Sequence, residues 1–141
     1  MANSPNEIPE GFSAAKLRGP FTQHNGPVYR ADDPEDLRSG LLILDRHCNG
    51  MGFLHGGMLA AFSDSALAWA VWWHTQRRSV TLKLTMTYLS AVQTGTWLEA
   101  HPEVTAERDD CVHLFADVIG QNGTKVARAD AVFRLLRRNR T

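Results

Sequence analysis

Residues 49–73 constrain the chain more than any other stretch: a loop with four glycines in nine residues runs into the most hydrophobic segment of the sequence. Behind the glycines, Leu59, Phe62, Ala66, Ala70 and Trp73 recur at three- and four-residue spacing, with Met58, Ala61, Ser65 and Trp72 on a second stripe. That spacing predicts a helix, and because both stripes are apolar or small the helix is expected to be buried nearly all round. Its first turn leaves backbone N–H groups without intrahelical partners at the positive end of the helix dipole, which suits an anion or a developing oxyanion. Asp64 interrupts this apolar run. A carboxylate there needs a partner or a task, since an unpaired buried charge is costly; a structural and a catalytic role are both open on that ground.

The rest of the chain supplies strands. Residues 1–38 carry Pro5, Pro9, Gly11, Gly19 and Pro20 and read as an irregular lead-in, with at most one turn of helix near residues 13–17 and a short strand in 26–31. Residues 40–45 read as a buried strand that delivers the glycine loop. Val80, Leu82, Leu84, Met86 and Tyr88 then alternate with Thr81, Lys83, Thr85 and Thr87, a clean period of two. Alternation resumes over 97–107, where Pro102 suggests a bulge or an edge, and again over 112–118 after an Asp109-Asp110 turn. Gln121-Asn122-Gly123 marks a hairpin into a last strand over 126–136. One long helix with strands before it and four strands in meander after it predicts an α+β layout, an antiparallel sheet of about five to six strands wrapped on the helix.

Composition excludes several classes. With 15 Lys+Arg against 15 Asp+Glu, no global field recruits nucleic acid or an anionic membrane. The longest apolar run, 67–73, is far short of the roughly 20 residues of a membrane span. The first residues lack a basic and then apolar leader, so a cytoplasmic location is expected. Cys48 and Cys111 have no Cys-x-x-Cys spacing, and His24, His47, His74, His101 and His113 show no metal-ligand spacing, so no metal is expected.

Asp64 lies eight residues beyond Gly56, which along a helix is roughly 12 Å. One carboxylate cannot serve the oxyanion donors of its own helix at that distance. If both act on one reacting centre, the simplest arrangement is a homodimer with antiparallel helices and two shared sites.

Asn49, Gly52, His55-Gly56-Gly57, Asp64 followed by Ala66, then Thr81 and Thr87-Tyr88-Leu89-Ser90 together resemble the hotdog-fold acyl-CoA thioesterases of the PaaI-like, phenylacetic-acid-degradation group. The resemblance covers roughly 41–135 and implies a hotdog domain over 39–137, after the 1–38 lead-in and before a basic tail at 138–141. It implies hydrolysis of an acyl-CoA thioester, aromatic or medium-chain, to a free acid and coenzyme A. By resemblance Gly56 N–H polarises the thioester carbonyl with help from Asn49. Asp64 serves as general base or nucleophile, and His55 orients the loop or sits near the departing sulfur. Thr81 matches a position that holds the attacking water, although alternation sets it opposite Val80 and Leu82 and leaves open which face meets the helix.

Gly57, Tyr88 and Ser90 are the substrate contacts this resemblance suggests, and Ala91 stands where many relatives have proline. No cofactor is implied, coenzyme A being part of the substrate. Dimers with shared sites, pairing further into a dimer of dimers, are the expected assembly. Trp69, Trp72 and Trp73 are candidate pocket walls or core packing, and Arg137 and Arg138 candidate phosphate contacts or a solvated strand end. The alternatives are a hotdog acyl-CoA hydratase or dehydratase, whose His–carboxylate motifs are not found here, and a non-catalytic acyl-CoA-binding protein.

Overall fold

Residues 7–137 are described by the computed structural model. Its centre is α2 (Gly56–Thr75), 20 residues long, capped by His55 at its start and ended by Gln76 in the left-handed region at φ 56°. Before it come β1 (Phe12–Ala14), the short helix α1 (Pro20–Asn25), β2 (Tyr29–Ala31), β3 (Ser39–Leu42) and a 3-10 turn, Asp45–His47; after it come β4 (Ser79–Tyr88), β5 (Trp97–Arg108), β6 (Cys111–Gly120) and β7 (Lys125–Leu135). Among the described residues the seven strands form one antiparallel sheet in the order β1-β2-β3-β5-β6-β7-β4. The α+β layout is as expected, with seven strands rather than five or six. The stretch read as irregular adds β1 and α1; Phe12 pairs with Ala31 and Ala14 with Tyr29, a contact between distant residues that no local pattern announces.

The helix and the inner face of the sheet make the core. Leu59, Phe62, Ala66, Leu67, Ala70 and Val71 of α2 are buried against Leu98, Val112, Val118 and Phe133 of the strands. Each large side chain so placed contributes roughly 1.5–3 kcal/mol. Ser63 is buried too and donates to Leu59 O at 2.8 Å, so its hydroxyl is satisfied within the helix. The helix is not buried all round, however. Asp64, Ser65, Ala68 and Trp69 are half-buried, and Trp72 and Trp73 are each 40% exposed. One sheet covers one side of a helix, and Trp72 and Trp73 are on the side it leaves open.

Strand order departs from a simple meander. β5, β6 and β7 follow one another through an Asp109-Asp110 turn, both residues at positive φ as a tight hairpin of this hand requires, and a turn with Gly123 at φ 83°. β4 does not lie beside β5; it pairs with β7 at the far edge. The connection 89–96 therefore has to cross, and it does so over the glycine loop: Leu54 N–H donates to Val92 O and Thr94 N–H to Gly52 O.

Pro102 sits where β5 has run past β3, which pairs only with Trp97 to Ala100, so its missing N–H costs no ladder bond on that side. The bulge falls later, at Thr105. On the outer face, Trp97 lies flat over Gly40, where a Cβ would overlap its six-membered ring. Trp97 Nε1 donates to Glu99, which also accepts from Arg38 at 2.9 Å.

Two predictions follow from this outer-face cluster. Gly40→Ala is expected to lower stability by about 1–3 kcal/mol in urea unfolding, as overpacked positions do. Glu99 has its carboxyl held below the ordinary carboxylate range, chiefly by the hydrogen bond with His101, then by Trp97 and the Arg38 charge. A depressed folded-state pKa contributes stability above the unfolded pKa, and that stability is lost as pH falls through the folded one. The Tm gap between wild type and Glu99→Gln should therefore be widest near pH 7 and close below about pH 4; a gap that stays constant into acid would contradict this.

Candidate active site

Asp64 projects from the third turn of α2 toward β4, where Thr81 Oγ1 donates to its Oδ1 at 2.6 Å. Strict alternation would group Thr81 with Lys83, Thr85 and Thr87 on the outer face. The register shows why it faces the helix instead: Thr81 pairs with Phe133 and Lys83 with Val132, so Leu82 is an extra residue, a bulge that resets the parity of the strand. Leu84 and Met86 pack on the core, while Val80 and Leu82, expected beside them, are 47% and 57% exposed.

The glycine loop is built by its own polar groups. Asn49 Oδ1 accepts from Met51 N–H at 2.9 Å and Phe53 N–H at 3.2 Å, and Asn49 O accepts from Gly52 N–H at 3.0 Å, with Gly52 at φ 82°. A buried His47 anchors the same segment, its Nδ1 accepting from Leu44 N–H at 3.1 Å and its Nε2 donating to Asn25 O at 2.6 Å. Burial lowers its pKa and keeps the ring neutral, which suits this one-donor, one-acceptor pairing. His47 O in turn accepts from His55 N–H.

At the helix start His55 Nδ1 accepts from Gly57 N–H at 2.8 Å, so its proton is on Nε2. The Gly57 N–H is thereby committed, whereas the Gly56 N–H has no acceptor among the described residues. Tyr88 donates its hydroxyl to Gly56 O at 2.7 Å and lies against the Gly56 Cα. Beside this point a cleft of about 370 Å³ opens between the glycine loop and the crossing connection, lined by Asn49, Tyr88 and Ser90 together with Met51, Leu59 and Leu89.

The proposed residues thus fall into two groups within one chain. Asn49, His55, Gly56, Gly57, Tyr88 and Ser90 meet at the helix start; Asp64 and Thr81 meet two turns along, roughly 12 Å away. Met51, 76% exposed, and Leu89, 53% exposed, form an apolar rim; the motif runs through Leu89 without giving it a role, and Met51 lies outside it. Their signal was indirect: two large apolar residues in segments with no periodicity to bury them. Trp69 and Trp73 are in edge-to-face contact at 5.8 Å on the uncovered side of α2 rather than in the core. Arg137 is exposed at the end of β7 where β4 begins, while Tyr88 lies at the other end of the pair, on the order of 30 Å away. Within one chain it is remote from the cleft, and Arg138 and the rest of the 138–141 tail lie outside the described residues. Among the described residues no group of three or more His, Cys, Asp or Glu could hold a metal ion, and no helix is long and apolar enough to cross a membrane.

A hotdog-type helix and sheet, with a glycine loop at the helix start and a carboxylate two turns on, define a class, and comparison with known proteins agrees. The Thioesterase superfamily model matches residues 51–127, more than half of the chain, and the chain belongs to that superfamily. A Pseudomonas aeruginosa protein, PA0474, described as a candidate esterase, is 31% identical over 132 residues, covering 91% of this chain and 97% of that one. The structure of E. coli PaaI, from the phenylacetic acid degradation operon, aligns with a TM-score of 0.67 at 20% identity over 71% of this chain and 72% of PaaI. A hypothetical thioesterase of Streptococcus pneumoniae, solved with coenzyme A, aligns at 0.70 with 19% identity over 93% and 90% of the two chains. At these identities the structural likenesses establish the shared fold.

The cap at the helix start can be checked without any substrate. His55→Ala removes the acceptor of the Gly57 N–H and is expected to cost about 1 kcal/mol in urea unfolding, with His55→Asp restoring most of it.

Proposed function

We propose that this protein hydrolyses an acyl-CoA thioester, with an aromatic or medium-chain acyl group, to the free acid and coenzyme A. The observation that carries the reading is the pairing of an unpartnered Gly56 N–H at the start of α2 with a carboxylate, Asp64, held in one orientation by Thr81. In the proposed reaction the thioester oxygen accepts from Gly56 N–H, with the Asn49 amide as second donor. Asp64 removes a proton from water as the water oxygen bonds to the carbonyl carbon, or attacks that carbon itself to give an anhydride that water then opens. The C–S bond breaks in either case, and the thiolate leaves to take up a proton. Thr81 acts through Asp64 and is a positioning residue. The cleft between Asn49 and Ser90 is the natural path for the pantetheine arm, and coenzyme A in the S. pneumoniae relative's structure supports a ligand of this kind.

Since the two groups stand roughly 12 Å apart in one chain, we place each complete site between two chains, Asp64 of one protomer facing the helix start of its partner. No metal or cofactor enters this scheme.

Asp64→Asn and Asp64→Ala should cut thiol release from acyl-CoAs by about a hundredfold or more with folding retained. A protein that keeps wild-type turnover in both would end the mechanism. The oxyanion donor has its own test. Gly56 is the first helical residue, a position that accepts proline, and His55 before it is already extended at φ −64° and ψ 133°. Gly56→Pro therefore deletes the N–H while leaving the helix intact, and kcat should fall by roughly 10²–10³. Mixing Asp64→Ala and Gly56→Pro subunits under exchange gives mixed dimers with one intact site each, so about a quarter of wild-type activity should return. No recovery, with exchange verified, would place the whole site within one chain.

A further inference from the structure

Arg30 is the one cation turned into the protein with no acid to meet it among the described residues. It lies on β2 opposite Ser39 and points to the inner face of the sheet, against α2. Its partners are all neutral: it donates to Ser39 Oγ, and to Ser65 Oγ at 3.4 Å, and it stacks over the Trp69 ring at 5.1 Å. The Nε atom is fully buried and has no partner. Other buried or half-buried guanidinium groups here find carboxylates, as Arg38 does with Asp36 and Glu99. Desolvation lowers the Arg30 pKa to about 10, with no acid to oppose it, and the group remains charged at neutral pH. A cation kept in that state without a counter-ion is costly, and an anion arriving beside it relieves the cost. The side chain as a whole is half-buried rather than sealed.

Its position gives the anion an origin. Ser65 follows Asp64 directly, so the two side chains leave the helix about 100° apart, Asp64 toward β4 and Ser65 toward β2. The residues of α2 that fall between them within one turn, Ala61 and Ala68, are small and half-buried, with Trp72 a turn further on. From these geometries the guanidinium stands on the order of 10 Å from the Asp64 carboxylate. After a contact at each end, that leaves room for a chain of roughly four to six carbons.

We propose that Arg30, with the Ser65 hydroxyl beside it, binds a carboxylate at the far end of the acyl group, so that the preferred substrates are short ω-carboxyacyl thioesters. The placement of the acyl group rests on the thioesterase reading above; the existence of an anion site beside Ser65 and Trp69 does not.

The test uses matched pairs of coenzyme A esters: succinyl with butyryl, glutaryl with pentanoyl, adipyl with hexanoyl. For the best-fitting length the wild-type kcat/KM should favour the carboxylate ester by at least about tenfold. Arg30→Gln, shown folded by circular dichroism and melting, should bring that ratio near one, and Arg30→Lys should retain part of it. If the Gln variant does not fold, a several-fold drop in the ratio for the Lys variant, whose charge remains but whose forked donors are gone, carries the same reading. Calorimetry with the corresponding thioethers, which cannot be hydrolysed, measures the preference without turnover. A thioether preference that Arg30→Gln abolishes, in a protein that hydrolyses none of the esters, would sink the hydrolase reading and keep the anion site. Wild-type protein that binds and turns over both members of each pair alike, or a folded Arg30→Gln variant that keeps the preference, would overturn the proposal.

Discussion

The pairing of β4 with β7, rather than with its sequence neighbour β5, is the constraint on which the rest of the structure depends. It carries the strand to the far edge of the sheet, against the side of α2 from which Asp64 projects. It also forces the connection 89–96 back across the molecule, where it is hydrogen-bonded onto the glycine loop and encloses the cleft with it. Both halves of the candidate site therefore depend on one topological choice. Tyr88 at the end of β4 braces the helix start through Gly56 O, and Thr81 at its beginning braces Asp64, so a single strand ties the two halves at a fixed separation.

Such a strand has to be exposed on one side, since it is an edge. An edge with apolar Val80 and Leu82 in the open is a ready partner for another strand, and the bulge at Leu82 is the device that both turns Thr81 inward and turns these two residues out. The same irregularity that orients the carboxylate's partner thus shapes the surface beside it.

Most of the fold was legible because its signals are local. The spacing of Leu59, Phe62, Ala66 and Ala70 specifies a helix, the alternation in β4, β6 and β7 specifies strands, and Asp109-Asp110 and Asn122-Gly123 specify hairpins, each within a dozen residues. What escaped depends on contacts between distant residues. β1 is three residues long and exists because it pairs with β2. The placement of β4 beside β7 is a matter of long-range pairing, not of its own sequence. The bulge leaves no mark in Val80-Thr81-Leu82, all of them good strand formers, so perfect alternation on paper hides a change of parity in space. The apolar stripes of α2 suggested full burial because periodicity reports what is apolar, not what covers it. The candidate site was more legible than its surroundings, since Asn49, His55-Gly56-Gly57 and Asp64 lie within sixteen residues of each other, whereas Arg30 belongs to a segment of no visible pattern.

The uncovered side of α2 leaves part of this helix outside the closed core. A helix whose only purpose was to fill the sheet would present leucine or valine at every position that the strands reach. Here it presents Asp64 on one flank and, through Ser65, the Arg30 cation on the other, with alanines between and tryptophans beyond. Ala61 and Ala68 lower the ridge of the helix along this strip. Of the two charged groups, Asp64 accepts from Thr81 while Arg30 keeps a buried Nε without a partner, so the unmet demand lies on the Arg30 side. In the proposed complex the Asp64 carboxylate at one side and the Arg30 guanidinium at the other would fix the direction in which an ω-carboxyacyl group lies.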